Sequence, residues 1–160
     1  LTKEGWHYTN PDGSFIEDGF FTDGNIKRYI RNGMTAYTMI TNIGGQFYMI
    51  DWDGEVKTGK FYVIEEATHG LIKEGWYYAD AEGKFLHDTF FEDGNVRRYI
   101  LNGQAAYTRV TEIDGAYYMI EWDGLVVVNT EKFYITESST KGKLRGEGWY
   151  KTDETGKIIL

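Results

Sequence analysis

Five tryptophans recur in two contexts, and they carry the binding chemistry most open to this chain. Trp6, Trp76 and Trp149 each follow a glycine, and Tyr8 and Tyr78 stand two residues beyond the first two. Trp52 and Trp122 each precede an Asp-Gly pair, with Tyr48 and Tyr118 four residues upstream. An indole face can stack on a sugar ring or attract a quaternary ammonium through its π-system. Aromatic side chains also bury the most area, so the same residues are natural core formers. For Trp6, Trp76 and Trp149 both roles stand open. Trp52 and Trp122 lie one residue from a tight turn, where core packing is less natural. Asp51, Asp53, Glu121 and Asp123 flank them and suit sugar hydroxyls or a cation, although Asp53 and Asp123 also suit the turns themselves.

Other chemistry is poorly represented. The histidines are His7, His69 and His87, and no two have metal-ligand spacing. There is no cysteine, hence no disulfide framework and no thiolate site. Asp51–Gly54 resembles the start of a calcium loop, but the remaining ligands are missing. No nucleophile, phosphate-loop or dinucleotide motif is present. No catalytic residue, metal or cofactor is therefore expected. The basic pairs Lys27-Arg28 and Arg97-Arg98 suit either an anionic polymer or a solvated strand face, with Tyr29 and Tyr99 turned to the core.

Composition narrows the partners. Lys and Arg total 17 and Asp and Glu 25, a net charge of −8. That excess of acid argues against nucleic acid and against anionic membrane surfaces. No apolar run approaches the roughly 20 residues of a membrane helix, so no membrane insertion is expected. The first residue is Leu and no signal segment is evident, so the chain reads as a piece of something longer.

The elements that must position the tryptophans follow from an internal repeat. Leu1-Thr-Lys-Glu-Gly-Trp6 returns as Leu71-Ile-Lys-Glu-Gly-Trp76, and Trp52-Asp-Gly54 returns as Trp122-Asp-Gly124, an offset of 70. Two extra residues then enter near Val127–Glu131, so Lys60-Phe-Tyr62 maps onto Lys132-Phe-Tyr134. A third copy opens at Gly148-Trp-Tyr150. The organisation is a first unit over 1–70, a second over 71–143 and a truncated third over 144–160, in one repeat domain. Short aromatic runs such as 27–30 and 47–52 are too short for helices and rich in β-formers. Asn32-Gly33 and Asn102-Gly103 are strong two-residue hairpin signals. The expected fold is all-β, a solenoid of stacked hairpins with about three per unit. The segments 61–74 and 133–148 read as long connections with room for a short helix.

The stretches Gly5–Gly13, Gly75–Gly83, Gly45–Gly54 and Gly115–Gly124 resemble the cell-wall-binding repeats of Gram-positive bacteria. That family includes choline-binding repeats, glucan-binding repeats and the C-terminal repeats of clostridial toxins. The resemblance implies a secreted or cell-surface, non-catalytic module that binds a wall or extracellular glycan, choline-decorated or not. Its ligand-binding residues would be Trp6, Tyr8, Tyr48, Trp52, Trp76, Tyr78, Tyr118, Trp122 and Trp149. Gly-Trp occurs only once per repeat here, at Trp6, Trp76 and Trp149, which departs from the family's denser spacing. The alternative is a structural spacer or adhesin-like interaction segment whose aromatics are all core. A hairpin left open at Leu160 would also suit pairing of two chains into a homo-oligomer.

Overall fold

The structure, a computed structural model, describes residues 4–160, so the Leu1-Thr-Lys opening of the first repeat lies outside the described residues. The chain is all-β and divides into two compact units, Leu1–Phe85 and Leu86–Leu160.

In the first unit, β1 (Gly19–Asp23) and β2 (Ile26–Arg31) form an antiparallel hairpin, extended on the far side by β3 (Met34–Thr35). A second hairpin pairs β4 (Met39–Ile43) with β5 (Gln46–Ile50). A third pairs β6 (Gly59–Val63) with β7 (Gly75–Ala79), across a connection that carries one 3-10 turn at Glu65–Ala67. The second unit repeats the scheme. β8 (Thr89–Asp93), β9 (Val96–Leu101) and β10 (Gln104–Ala105) form one sheet. β11 (Arg109–Ile113) pairs with β12 (Ala116–Ile120). β13 (Phe133–Ile135), β14 (Gly148–Thr152) and β15 (Ile158–Ile159) close the unit, with a single helical turn, α1 (Glu137–Thr140), between β13 and β14.

The third copy opens with a hairpin, as its sequence implies: β14 pairs forward with β15 across the turn at Gly156, Lys151 with Ile159 and Thr152 with Ile158. In the two earlier copies the corresponding turn makes a single bridge, Ala79 with Phe85 after β7 and Thr9 with Phe15 in the first unit. The main partner of β7 is β6, which lies before it. Phe61 and Val63 of β6 face the same core as Tyr77, and this shared burial closes the long connection. The short helical turns in both connections agree with the sequence.

Strand alternation sorts the side chains. Ile40, Val63, Tyr77, Ala79 and Phe85 form one core cluster, and Tyr48, Ile50 and Val56 another. In the second unit Tyr99, Tyr118, Ile120 and Val126 pack together, as do Val110, Ile135, Tyr150 and Ile158. Two of the buried phenols reach back to the chain four residues before them: Tyr77 donates to the Lys73 carbonyl at 2.8 Å and Tyr150 to the Gly146 carbonyl at 2.6 Å.

Hairpins of one unit are tied through their turns. Asn32-Gly33 has both residues at positive φ, 52° and 77°, as the two-residue turn demands. At Gly54 the turn after β5 docks on β2: the Tyr29 amide donates to the Gly54 carbonyl at 2.8 Å. A Cβ on Gly54 would lie 2.7 Å from Thr35 Cβ and 3.1 Å from the Tyr29 carbonyl oxygen, at a φ of +80°. Gly124 repeats this against Ala105 and Tyr99. Gly54→Ala is therefore expected to destabilise the chain by more than ~1 kcal/mol. Thermal melts would show a fall of at least ~2 °C for a chain of this size; an unchanged midpoint would mean that the docking is not tight.

Candidate functional site

All five tryptophans are exposed: Trp6 by 88%, Trp52 by 75%, Trp76 by 54%, Trp122 by 77% and Trp149 by 56%. Tryptophan is highly buried on average, so five exposed copies are a departure from ordinary packing. The tyrosines called alongside them divide differently. Tyr48, Tyr78 and Tyr118 are buried and present no open face to solvent, because their strands turn them inward or cover them. In the structure they serve as packing residues. Tyr8 is half-buried, donates to Asp23 at 3.1 Å and stacks against Phe21.

Two tryptophans belong to a repeated cluster. Tyr62 of β6 lies directly across from Trp76 of β7, ring to ring at 5.4 Å and nearly perpendicular at 79°. Lys60 lies two residues before Tyr62 on the same face, with Nζ 5.0 Å from the Trp76 ring. In the second unit Tyr134 and Trp149 stand 5.4 Å apart at 75°, with Lys132 Nζ 4.5 Å from Trp149. Tyr62 and Tyr134 are about half exposed. Sequence reasoning missed both; their pairing with Gly-Trp depends on the backward partner of β7 and β14. An ammonium of the chain itself holds one cation position over each indole.

The other two repeated tryptophans ride on clamped turns. Arg28 of β2 donates through Nε to Asp23 at 3.0 Å and through its terminal nitrogen to the Asp53 carbonyl at 2.8 Å, with the Asp53 carboxylate at 3.2 Å. Arg98 repeats this with Asp93 at 3.0 Å, the Asp123 carbonyl at 2.8 Å and its carboxylate at 3.1 Å. The side chains of Arg28 and Arg98 are largely covered, so they are neither solvated nor set out to meet a polymer. They hold the Asp-Gly turns that present Trp52 and Trp122. Burial acts to raise the Asp123 carboxyl, but the Arg98 hydrogen bond and charge and the Leu125 amide outweigh it and hold it below the usual range. The neighbouring Lys27 and Arg97 lie against Phe20 and Phe90, 4.3 and 4.0 Å from the ring centres.

Asp51 beside Trp52 is paired with Lys57 at 2.9 Å. That hydrogen bond above all lowers the Asp51 carboxyl and raises the Lys57 ammonium. In the second copy Glu121 and Val127 stand at these positions, so the Trp122 turn lacks the lysine. Among the described residues no group of three or more His, Cys, Asp or Glu could hold a metal ion.

The hairpin fold is one found in solved choline-binding proteins of Streptococcus pneumoniae. No protein-family model and no curated protein sequence matches the chain. Solved structures do. Choline binding protein F from Streptococcus pneumoniae is 23% identical with a TM-score of 0.54, over 97% of this chain and 44% of that one. CbpJ from Streptococcus pneumoniae TIGR4 is 17% identical with a TM-score of 0.52, over 96% of this chain and 56% of that one. The modular autolysin LytC from Streptococcus pneumoniae, in complex with a synthetic peptidoglycan ligand, is 15% identical with a TM-score of 0.60, over 99% of this chain and 36% of that one. The chain thus spans between 36% and 56% of these structures' lengths.

The lowered Asp51 carboxyl has a consequence for acid stability. A carboxylate depressed in the folded state contributes stability above its unfolded value of about 3.9 and loses it as pH falls through the folded value. Thermal melts between neutral pH and strong acid should therefore show Asp51→Asn losing less stability than the native chain below about pH 4. Parallel acid limbs would mean that the pair with Lys57 contributes nothing.

Proposed function

We propose that this chain is a non-catalytic module of a Gram-positive cell surface or secreted protein. It would hold cell-wall or extracellular polysaccharide through repeated aromatic sites. The observation that carries this reading is the exposure of all five tryptophans at repeated positions. A fold shared with choline-binding proteins supports it, and so does the aromatic face of each Gly-Trp strand.

Stacking and polar contacts would supply the individual affinities. Repetition would supply the rest. Once one site is engaged, a second on the same chain meets the polymer at an effective concentration on the order of millimolar, which can raise the overall affinity roughly 100-fold or more. Duplication also argues against catalysis, since an active site needs unlike groups held at different pKa values. Here the distinctive polar residues come in matched pairs, such as Arg28 with Arg98 and Asp53 with Asp123. The spacer reading requires the aromatics to be core, and the exposed indoles disfavour it. The repeat period favours a hairpin solenoid for the whole, with a radius of gyration by small-angle scattering above the roughly 15 Å of a compact chain of this length.

Choline is only one of the ligands open to such a module. At Trp76 and Trp149 a quaternary ammonium would compete with Lys60 and Lys132 for the ring. At Trp52 the flanking Asp51 and Asp53 are already paired with Lys57 and Arg28, and at Trp122 Asp123 is paired with Arg98, so a preference for a cation there would rest on Glu121 beside Trp122. Cosedimentation of the labelled chain with purified Gram-positive walls tests the proposal, with choline and glucan oligosaccharides as competitors. Retention on the walls is expected, and Trp52→Ala with Trp122→Ala should lower it at least about tenfold while leaving the circular dichroism unchanged. Absence of retention at micromolar protein would overturn the wall-binding reading in favour of the spacer.

A further inference from the structure

We propose that the hollow beside Trp149 in the second unit binds an anionic sugar, with the ring stacked on the indole and the acid group held by Lys132, Arg145 and Lys151. The inference rests on the glycan-binding reading above and adds the charge of the ligand to it.

The hollow has a volume of about 380 Å³. Its charged side chains are Lys132, Arg145 and Lys151 against Glu131, and Ile159 and Leu160 complete the lining beside Trp149 and Tyr150. Such a balance is unusual on a chain whose net charge is −8. The wall is Trp149, 56% exposed, braced edge-on by Tyr134. Lys132 Nζ lies 4.5 Å from the indole centre, and the Arg145 guanidinium lies 5.2 Å from the Tyr150 ring. Lys132 lies over the indole, so a pyranose that carries a carboxylate or phosphate would take the ammonium's place on the ring and receive it, with the other two cations of the hollow, at its acid group. The ring covers the indole, and the acid accepts charge-assisted hydrogen bonds.

The repeat provides an internal comparison. Aligned on Trp76 and Trp149, Arg145 replaces Ile72 and Lys151 replaces Tyr78, while Lys132 and Tyr134 keep the places of Lys60 and Tyr62. The Trp76 cluster therefore has the aromatic face and one lysine without the two added cations. Glu147 is engaged with the Tyr134 hydroxyl, and burial followed by the Glu147 charge raises that phenol.

The test is calorimetric titration of the whole chain with three matched probes: cellobiose, its uronic acid counterpart and its 6-phosphate. The acidic probes are expected to bind about tenfold more tightly than cellobiose, with a preference that falls as salt rises. Whichever acid binds more tightly distinguishes a carboxylated from a phosphorylated glycan as the source. Lys132→Met with Arg145→Met should abolish the preference and leave cellobiose binding in place. Trp149→Ala should weaken all three probes, and Trp76→Ala should leave the preference intact. If the double variant fails to fold by circular dichroism, Lys151→Met serves in its place and should reduce the preference. Equal binding of all three probes, a preference that survives the cation variants, or no binding of any probe would overturn the proposal. Wall cosedimentation in parallel separates the cases. Walls bound without any acidic preference overturns this inference alone, and loss of both overturns the glycan-binding reading with it.

Discussion

Each unit depends on an arginine that reads the backbone of a turn. Arg28 and Arg98 lie in the middle strand of one hairpin sheet and donate to the carbonyl of an Asp-Gly turn that follows the next hairpin. The same side chains hold a carboxylate of their own hairpin, Asp23 or Asp93. One guanidinium therefore fixes three things: the width of a hairpin, the place of the next turn, and the aim of the indole beside that turn. A planar fork of five donors can do this, and a lysine ammonium offers no equivalent geometry. The Tyr29–Gly54 and Tyr99–Gly124 backbone bonds complete the joint at 2.8 Å each. Isolated hairpins are marginal in water, and these joints let successive hairpins share cores.

The aromatics then fall into two populations with different work. Tyr48, Tyr77, Phe85, Tyr118 and Tyr150 face inward and supply the burial that holds the sheets together. The tryptophans face outward. The split follows strand alternation, as at β7, where Trp76 turns out and Tyr77 turns in. Leaving indoles in water forgoes roughly 1.5–3 kcal/mol of burial per large side chain. The chain does so at all five tryptophans, and that exposure is what the proposed binding function would use.

Much of this was legible in the sequence. The period, the Asn-Gly turns and the short aromatic runs led directly to antiparallel hairpins. The exposed tryptophans were legible as candidates, since their contexts repeat. Three features were not. The backward pairing of β7 with β6 is set by burial of Phe61 and Val63 beside Tyr77, which no turn signal reports. The burial of Tyr48 and Tyr118 depends on Phe20 and Phe90, whose rings lie 4.9 and 5.0 Å away but far off in sequence. The clamp role of Arg28 and Arg98 was hidden for the same reason. A basic pair on a strand looks solvated until the carboxylates 25 residues onward are known to be adjacent.

The backward pairing also bears on how such a chain can change length. The boundary between sequence repeats falls inside the connection from β6 to β7, so each closing hairpin takes one strand from one copy and one from the next. Its contact residues are alike at both junctions: Tyr62 with Trp76, and Tyr134 with Trp149. Unequal crossing-over between copies would therefore add or remove a whole unit while every new junction inherits a complementary pair of strands. Gene length can drift by recombination without any fresh interface having to evolve, and the number of binding faces would follow the number of copies.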